Sequence, residues 1–274
     1  MGLRINSNIL SSNAQRNLAN VSGRLGGNFS RLSSGLRIAT AADDAAGLGI
    51  SERLRSQVRS LNQAGRNAQD GISLVQTAEG ALGETGDNLA RLRELAVQAS
   101  NGTLNSADRA VINTEFTALK DEIARVATET NFNGVSLLDG STTSLSLQVG
   151  IESGQTISVS LQSATQSGLG IDGATFNVSG TANATAALNT IDTAINSVAS
   201  ARGSLGAVSN RLSSTVRSIA GSSENLAAAE TRIRDVDVAF ETADLTRNSI
   251  LQQAALSVLS QANVQPQLAL SLLG

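Results

Sequence analysis

The chain has 274 residues, a net charge of −3 and a pI near 5.1, with 41% apolar and 16% charged side chains. That is enough chain for one or two domains with a substantial core, and its acidity offers no basic surface for nucleic acid. It has no Cys, His, Trp or Tyr, which removes the usual ligands of zinc, haem and iron–sulfur sites and every Ser-His or Cys-His nucleophile pair. Carboxylate-only chemistry stays open in principle, but no cofactor, metal or catalytic residue is expected.

The first stretch, Met1 to Asn20, has Arg and Asn scattered through it and does not read as a secretory signal peptide. No segment approaches the ~18 apolar residues of a membrane span, so no membrane insertion is expected. Ala14, Leu18, Val21, Leu25 and Leu32 sit at heptad spacing, with Asn28 breaking the row. Asp43-Asp44 precedes a helical segment starting near Ala45, where adjacent acids read as a cap.

A long heptad row follows: Leu54, Leu61, Ala68, Val75, Leu82, Leu89 and Ala96, with Val58, Gly65 and Ile72 as a companion position. Such a row predicts a helix with an apolar seam that needs a partner helix. Gly65, Gly83 and Gly86 lie inside it and are read as points of close packing rather than kinks. Arg91, Arg93, Glu94 and Gln98 form a solvated helix face. Asn101-Gly102 reads as a C-terminal cap. A second helix, capped by Asn105 or Ser106, places Val111, Ile112, Phe116, Leu119, Ile123 and Val126 on one face, and Asn133-Gly134 ends that region.

From Gly140 to Gly180 the chain becomes rich in Ser, Thr and Gly. Leu145, Leu147 and Val149, then Ile157, Val159 and Leu161, alternate with polar residues on either side of Gly150 to Gln155, which predicts a β-hairpin with one apolar face. Phe176 and Val178 suggest a further strand. The region reads as a small surface elaboration outside the helical seams.

A second heptad row runs through Ile191, Val198, Leu205, Leu212, Ile219, Leu226 and Ile233. Two equal seams, early and late, predict an antiparallel helix pair joined through the middle of the chain. Near the other end Leu251, Ala255, Val258 and Ala262 repeat the heptad spacing, and residues 248–274 carry no charged side chain. Short helices with little core are marginal alone, so both termini are expected to be loose in a single chain and to order when copies bury one another's apolar faces.

These blocks resemble the bacterial flagellins. The resemblance rests on RLSSGLRIATAADDAAGLGISERLRSQVRSLNQAGRNAQDGISLVQTAEGAL (Arg31 to Leu82), RLRELAVQ (Arg91 to Gln98), FNGVSLL (Phe132 to Leu138) and ETRIRDVDVAFETADLTRNSILQQAALSVLSQANVQPQLALSLL (Glu230 to Leu273). It covers residues 3–140 and 185–273; residues 141–180 are undiagnostic. It implies a mainly α protein. A long antiparallel helical coiled coil or bundle (the domain called D1, residues 41–235) would carry the β-hairpin region at about 141–180. Terminal helices (D0, residues 1–40 and 236–274) would form a coiled coil in the polymer. The D0 seam would be Leu18, Val21, Leu25, Leu32, Leu251, Ala255, Val258 and Ala262. The D1 seam would be Leu54, Leu61, Val75, Leu82, Leu89, Ile191, Val198, Leu205, Leu212, Ile219 and Leu226.

The implied function is that of a structural subunit of the flagellar filament, exported unfolded through the flagellar type III channel. The implied partners are an export chaperone, the filament cap and the hook-associated junction proteins. In flagellins recognised by Toll-like receptor 5, receptor contacts match Arg91, Leu95 and Glu115 here, with Gln98 beside them. Arg91 is expected to point outward and Leu95 to be partly buried. Family members often end in Arg, where this chain has Gly274. The alternatives are a hook–filament junction protein and a coiled-coil binding module that does not polymerise. A flagellin carrying a zinc protease insert would need His.

Overall fold

The structure is a computed structural model that describes residues 7–271, with side chains as far as 265; Gly274 lies outside the described residues. The described elements, in chain order, are α1 (Ile9–Ser34), α2 (Ala45–Ala99), α3 (Ser106–Glu129), β1 (Asn131–Phe132), β2 (Val135–Ser136), β3 (Ser144–Gln148), β4 (Thr156–Ser160), α4 (Thr181–Arg234) and α5 (Val238–Ser271). The chain divides into two compact units, one of Gln57–Glu224 and one of Met1–Ser56 with Asn225–Gly274.

In the unit of residues 57–224, the heptad rows are the core. Leu61, Ala68, Val75, Leu82, Leu89 and Ala96 of α2 are buried, as are Ile191, Val198, Leu205, Leu212 and Ile219 of α4. A Cβ added to Gly65 would lie 3.7 Å from Ile219, and one on Gly86 would lie 4.0 Å from Val198. Asn62 accepts a hydrogen bond from Ser223, and Arg93 pairs with Asp192. Numbers therefore rise along one helix as they fall along the other, which fixes the pair as antiparallel.

The companion position on α2 differs from the sequence reading. Val58, Gly65 and Ile72 are only half-buried. The second buried row is Ala64, Gly71, Ala78, Thr85, Leu92 and Ala99, on the opposite flank of the seam. Most of these side chains are small, so a search for large apolar residues passes over them. Thr85 satisfies its hydroxyl by donating to Ala81 O, 2.9 Å away. The close approach expected at Gly65, Gly83 and Gly86 falls instead at Gly71, where a Cβ would stand 2.3 Å from Leu147 Cδ1 and 3.3 Å from Leu212 Cδ1. Contact at Gly65 and Gly86 is ordinary, and Gly83 faces open space.

Helix α2 ends without a left-handed glycine: Gly102 is not among the positive-φ residues. The Arg109 guanidinium takes that place. Its Nε donates to Ala99 O at 2.9 Å and its Nη2 to Asn101 O at 3.0 Å, which partners carbonyls that a helix end leaves free. Helix α3 starts on a reciprocal cap. Asn105 Oδ1 accepts from Asp108 N at 2.9 Å, and the Asp108 carboxylate accepts from Asn105 N at 3.3 Å. Phe116, Ile123 and Ala127 face the core, but Val111 is 73% exposed. Ile112, one residue on, takes the inward position. Asn133 and Gly134, at φ 51° and 80°, make a two-residue left-handed turn that joins β1 to β2.

Strands β3 and β4 pair antiparallel, with Leu145 opposite Val159 and Leu147 opposite Ile157. The hairpin is as the alternation predicts, but its setting is not. Ile157, Val159, Leu161, Leu169, Ile171, Phe176 and Val178 are all buried and belong to one core with the α2 and α4 rows. The expected strand at Phe176 and Val178 is irregular chain. Phe176 packs its ring on Phe116 at 5.1 Å between centroids, tilted by 46°. Residues 141–180 are therefore part of the core rather than a surface elaboration.

In the other unit, α1 and α5 are continuous helices packed on each other, where looseness was expected in a single chain. Leu54 and Leu226 are half-buried here. Asp44 Oδ1 accepts from Gly47 N at 2.9 Å and caps α2 as predicted. Gly47 gives the cap room: a Cβ there would stand 2.4 Å from Asp44 Oδ2 and 2.8 Å from Ile38 Cδ1, so both side chains would have to shift. Asp43 accepts from Ala39 N, Thr40 N and Thr40 Oγ1. Those Thr40 donors, backbone N–H first, hold its carboxyl below the ordinary carboxylate range. Gly35 at φ 71° closes α1, and Arg37 N and Ile38 N donate to Arg234 O.

Candidate interaction surfaces

The α1–α5 seam is built from both helices' heptads, with an unusual distribution of polarity. On α1, Leu18, Val21, Leu25 and Leu32 are half-buried, while Ser11, Ala14 and Asn28 are buried. Asn28 does not break the row; it is a member of it. On α5 the inward row is Glu241, Leu245, Asn248, Gln252, Ala255, Leu259 and Ala262. Ala255 is half-buried and Ala262 buried in this row. Leu251 and Val258 lie outside it in the single chain: they are 43% and 56% exposed, each one residue before the inward row. The uncharged end of α5 spreads its apolar residues round the helix, so spacing alone did not select a face.

Hydrogen bonds select it. Asn28 Nδ2 donates to Glu241 Oε1 at 2.6 Å, and Asn248 Nδ2 donates to Asn28 Oδ1 at 2.9 Å. Arg31 lies 4.0 Å from the same Glu241 carboxylate. Further along, Gln252 donates to Ser22 Oγ at 3.3 Å, Ser11 Oγ to Asn263 Oδ1 at 2.8 Å, and Asn8 Nδ2 to Ala262 O at 2.7 Å. A polar layer at a seam position fixes register and partner at some cost in stability. Ile9, Leu10 and Phe29 of α1 and Val238, Phe240, Ile250, Leu251, Leu256, Val258 and Val264 of α5 stay exposed. So many large apolar side chains left exposed on one helix pair point to burial against another surface rather than to ordinary scatter.

The second surface lies on α2 and α3. Arg91 Nε and Nη2 donate to Glu115 Oε1 at 3.0 and 2.8 Å, and Nη1 donates to Glu94 Oε2 at 2.8 Å. Donating to Glu94, and then to Glu115, raises the pKa of the guanidinium above its ordinary value. Gln98 is exposed beside them. Leu95 departs from expectation: it is 2% exposed and belongs to the core of residues 57–224. It holds the turn that presents Arg91 and offers no surface of its own. Among the described residues no cluster of three or more acids could hold a metal ion, and no helix is long and apolar enough to cross a membrane.

The chain matches two family descriptions, "bacterial flagellin N-terminal helical region" over residues 5–143 and "bacterial flagellin C-terminal helical region" over residues 188–273. It is 47% identical to a flagellin of Halalkalibacterium halodurans over 269 residues, covering 98% of this chain and 99% of that one. It is 45% identical to a flagellin of Bacillus subtilis over 303 residues, covering 99% and 100%. It is 42% identical to a flagellar filament 33 kDa core protein of Treponema phagedenis over 283 residues, covering 98% and 99%. Among solved structures, the crystal structure of Bacillus cereus flagellin aligns with TM-score 0.50 and 36% identity, over 60% of this chain and 94% of that one. A putative flagellar hook-associated protein of Vibrio parahaemolyticus shares the fold at TM-score 0.59 and 17% identity, over 70% and 100%.

Proposed function

The chain belongs to the bacterial flagellins and is a structural subunit of the flagellar filament, and we propose that the α1–α5 pair is the element through which copies join. The observation that carries this is the reversed polarity of the pair. Its most buried residues are Ser, Asn, Glu and Ala, while Leu251, Leu256, Val258 and Val264 face outward. A helix pair that keeps so much apolar surface outside gains most from burying it against further copies. The pair corresponds to D0 and the heptad helices to D1. The chain does no chemistry in this reading, and it works outside the cell. It would reach that place through the flagellar export channel, served by a chaperone, and would meet the filament cap and the hook-associated junction proteins there.

Salting-out of purified protein followed by electron microscopy tests the proposal. Long filaments support it. A chain that stays monodisperse, or adds only a short collar to existing hooks, favours the binding-module or junction-protein readings instead. A second contact is supported by the exposed Arg91–Glu115 pair: Arg91, Glu115 and Gln98 would meet Toll-like receptor 5 in a single subunit, with Leu95 supporting from beneath.

A further inference from the structure

The chain holds two exposed Asn-Gly pairs, Asn101-Gly102 and Asn133-Gly134. A glycine after asparagine leaves the following amide nitrogen unhindered, so both are open to attack by that nitrogen on the side-chain amide. Their surroundings differ. Asn133 sits in the left-handed turn at φ 51°, pinned by paired strands on both sides, with Asn131 opposite Ser136 and Phe132 opposite Val135. Asn101 lies in the short loop between α2 and α3, where three donors converge on its two carbonyls. Arg109 Nη2 donates to the main-chain Asn101 O at 3.0 Å and Leu104 N to the same oxygen at 3.4 Å, and Thr103 N donates to Asn101 Oδ1 at 3.2 Å.

These donors sit where the reaction develops charge. The main-chain carbonyl of Asn101 belongs to the same peptide group as Gly102 N. A guanidinium on that oxygen stabilises the deprotonated peptide, which is the nucleophile. The Thr103 N–H faces the oxygen that becomes negative when the side-chain carbonyl is attacked. Donors placed on developing charge are the general means by which a fold lowers such a barrier.

We propose that Asn101 is a site of spontaneous modification, assisted by Arg109 and Thr103, whereas Asn133 is protected by its turn. Hydroxide removes the Gly102 N–H proton. The nitrogen bonds to Asn101 Cγ, and the carbonyl electron pair moves to Oδ1. The Cγ–Nδ2 bond then breaks, and Nδ2 leaves as ammonia after taking a proton from water, which closes a five-membered imide. Water opens that ring at Cγ to give aspartate, or at the main-chain carbonyl to give isoaspartate. Either product puts a new carboxylate beside the guanidinium that holds the end of α2.

The test is incubation of the full-length protein at mildly alkaline pH, followed by tryptic mapping with mass spectrometry. Trypsin cutting after Arg93 and Arg109 releases Glu94–Arg109, which contains Asn101. This fragment should grow heavier by the exchange of an amide for a hydroxyl and should split into aspartyl and isoaspartyl forms, while the fragment holding Asn133 keeps its mass. Gly102→Ala should suppress the change. Arg109→Gln, whose fragment runs on to Lys120, keeps a donor but loses the charge. It should slow the change at least about tenfold, the rate equivalent of one charge-assisted hydrogen bond, with circular dichroism confirming an intact fold. Equal conversion at Asn101 and Asn133 would overturn the site assignment. An unchanged or faster rate in Arg109→Gln would overturn the role of the guanidinium.

Discussion

Phe176→Ala should destabilise the unit of residues 57–224 by about 3–5 kcal/mol, the usual cost of emptying a buried aromatic site. Phe176 is 7% exposed, and its ring lies 5.1 Å from Phe116, itself 1% exposed on α3. Truncation therefore removes one large side chain and leaves the face of another unpacked. Val178, Asn113 and α3 cannot collapse freely into the space, because Val178 N is held by Asn113 Oδ1 at 3.0 Å. For a unit of this size each kcal/mol moves the melting temperature by roughly 2–4 °C, so the loss should be on the order of 10 °C. Differential scanning calorimetry measures it directly. A double-mutant cycle with Phe116→Ala should return a coupling of about 0.5–1.5 kcal/mol. A melt within 2 °C of wild type, or no coupling, would refute the assignment of residues 161–178 to the core.

Deleting residues 152–176 removes Ile157, Val159, Leu161, Leu169, Ile171 and Phe176 together, on the order of 10 kcal/mol of apolar burial against a total stability of about 5–15 kcal/mol; the shortened chain should lose its cooperative melt. Leu251→Asp and Val258→Asp should leave the single chain's helix content unchanged, since both sites are exposed, but should abolish filaments in electron micrographs; normal filaments would remove α5 from the subunit contact. Arg91→Ala should raise the dose for half-maximal signalling by Toll-like receptor 5 reporter cells by roughly thirtyfold, and Gln98→Ala by less; equal potency would reject the surface. Asp43 is held below the ordinary carboxylate range by Thr40, as Asp192 is by Arg93. Their contribution is therefore fully present above the ordinary carboxylate pKa and is lost as pH falls through the depressed values. Melting temperature should drop across that acid window, and less so in an Asp43→Asn, Asp192→Asn variant.

The legible part of the fold was the part written in large aliphatic residues. Leu61 to Ala96 and Ile191 to Ile219 gave two seams and their antiparallel pairing, and the alternation at Leu145–Leu147 and Ile157–Leu161 gave the hairpin. The second row of α2 was illegible because Ala64, Gly71, Ala78 and Thr85 have too little side chain to register as hydrophobic. The depth of residues 161–178 was illegible because no period marks irregular chain, although Phe176 was one of only five Phe. At the surfaces, Arg91 and Glu115 pair with each other, which no spacing had indicated, while Leu95, expected to be partly buried, is 2% exposed. On α5 an apolar count could not choose between Leu251 and Gln252. The deciding signal was polar: Asn28, read alone, looked like an interruption, and only its partners Glu241 and Asn248 show it to be a specification.

The reversed polarity of the α1–α5 pair also fixes how it comes apart. Opening exchanges side-chain hydrogen bonds for water, at about 1 kcal/mol net for each, and wets only the covered flanks of leucines such as Leu18, Leu25, Leu32 and Leu259, which are already half-exposed in the pair. Heat capacity and denaturant sensitivity both scale with newly exposed area. Separation of the two helices should therefore show a smaller heat-capacity change and a shallower urea dependence than unfolding of the core in residues 57–224, a zip fastener rather than a melting core.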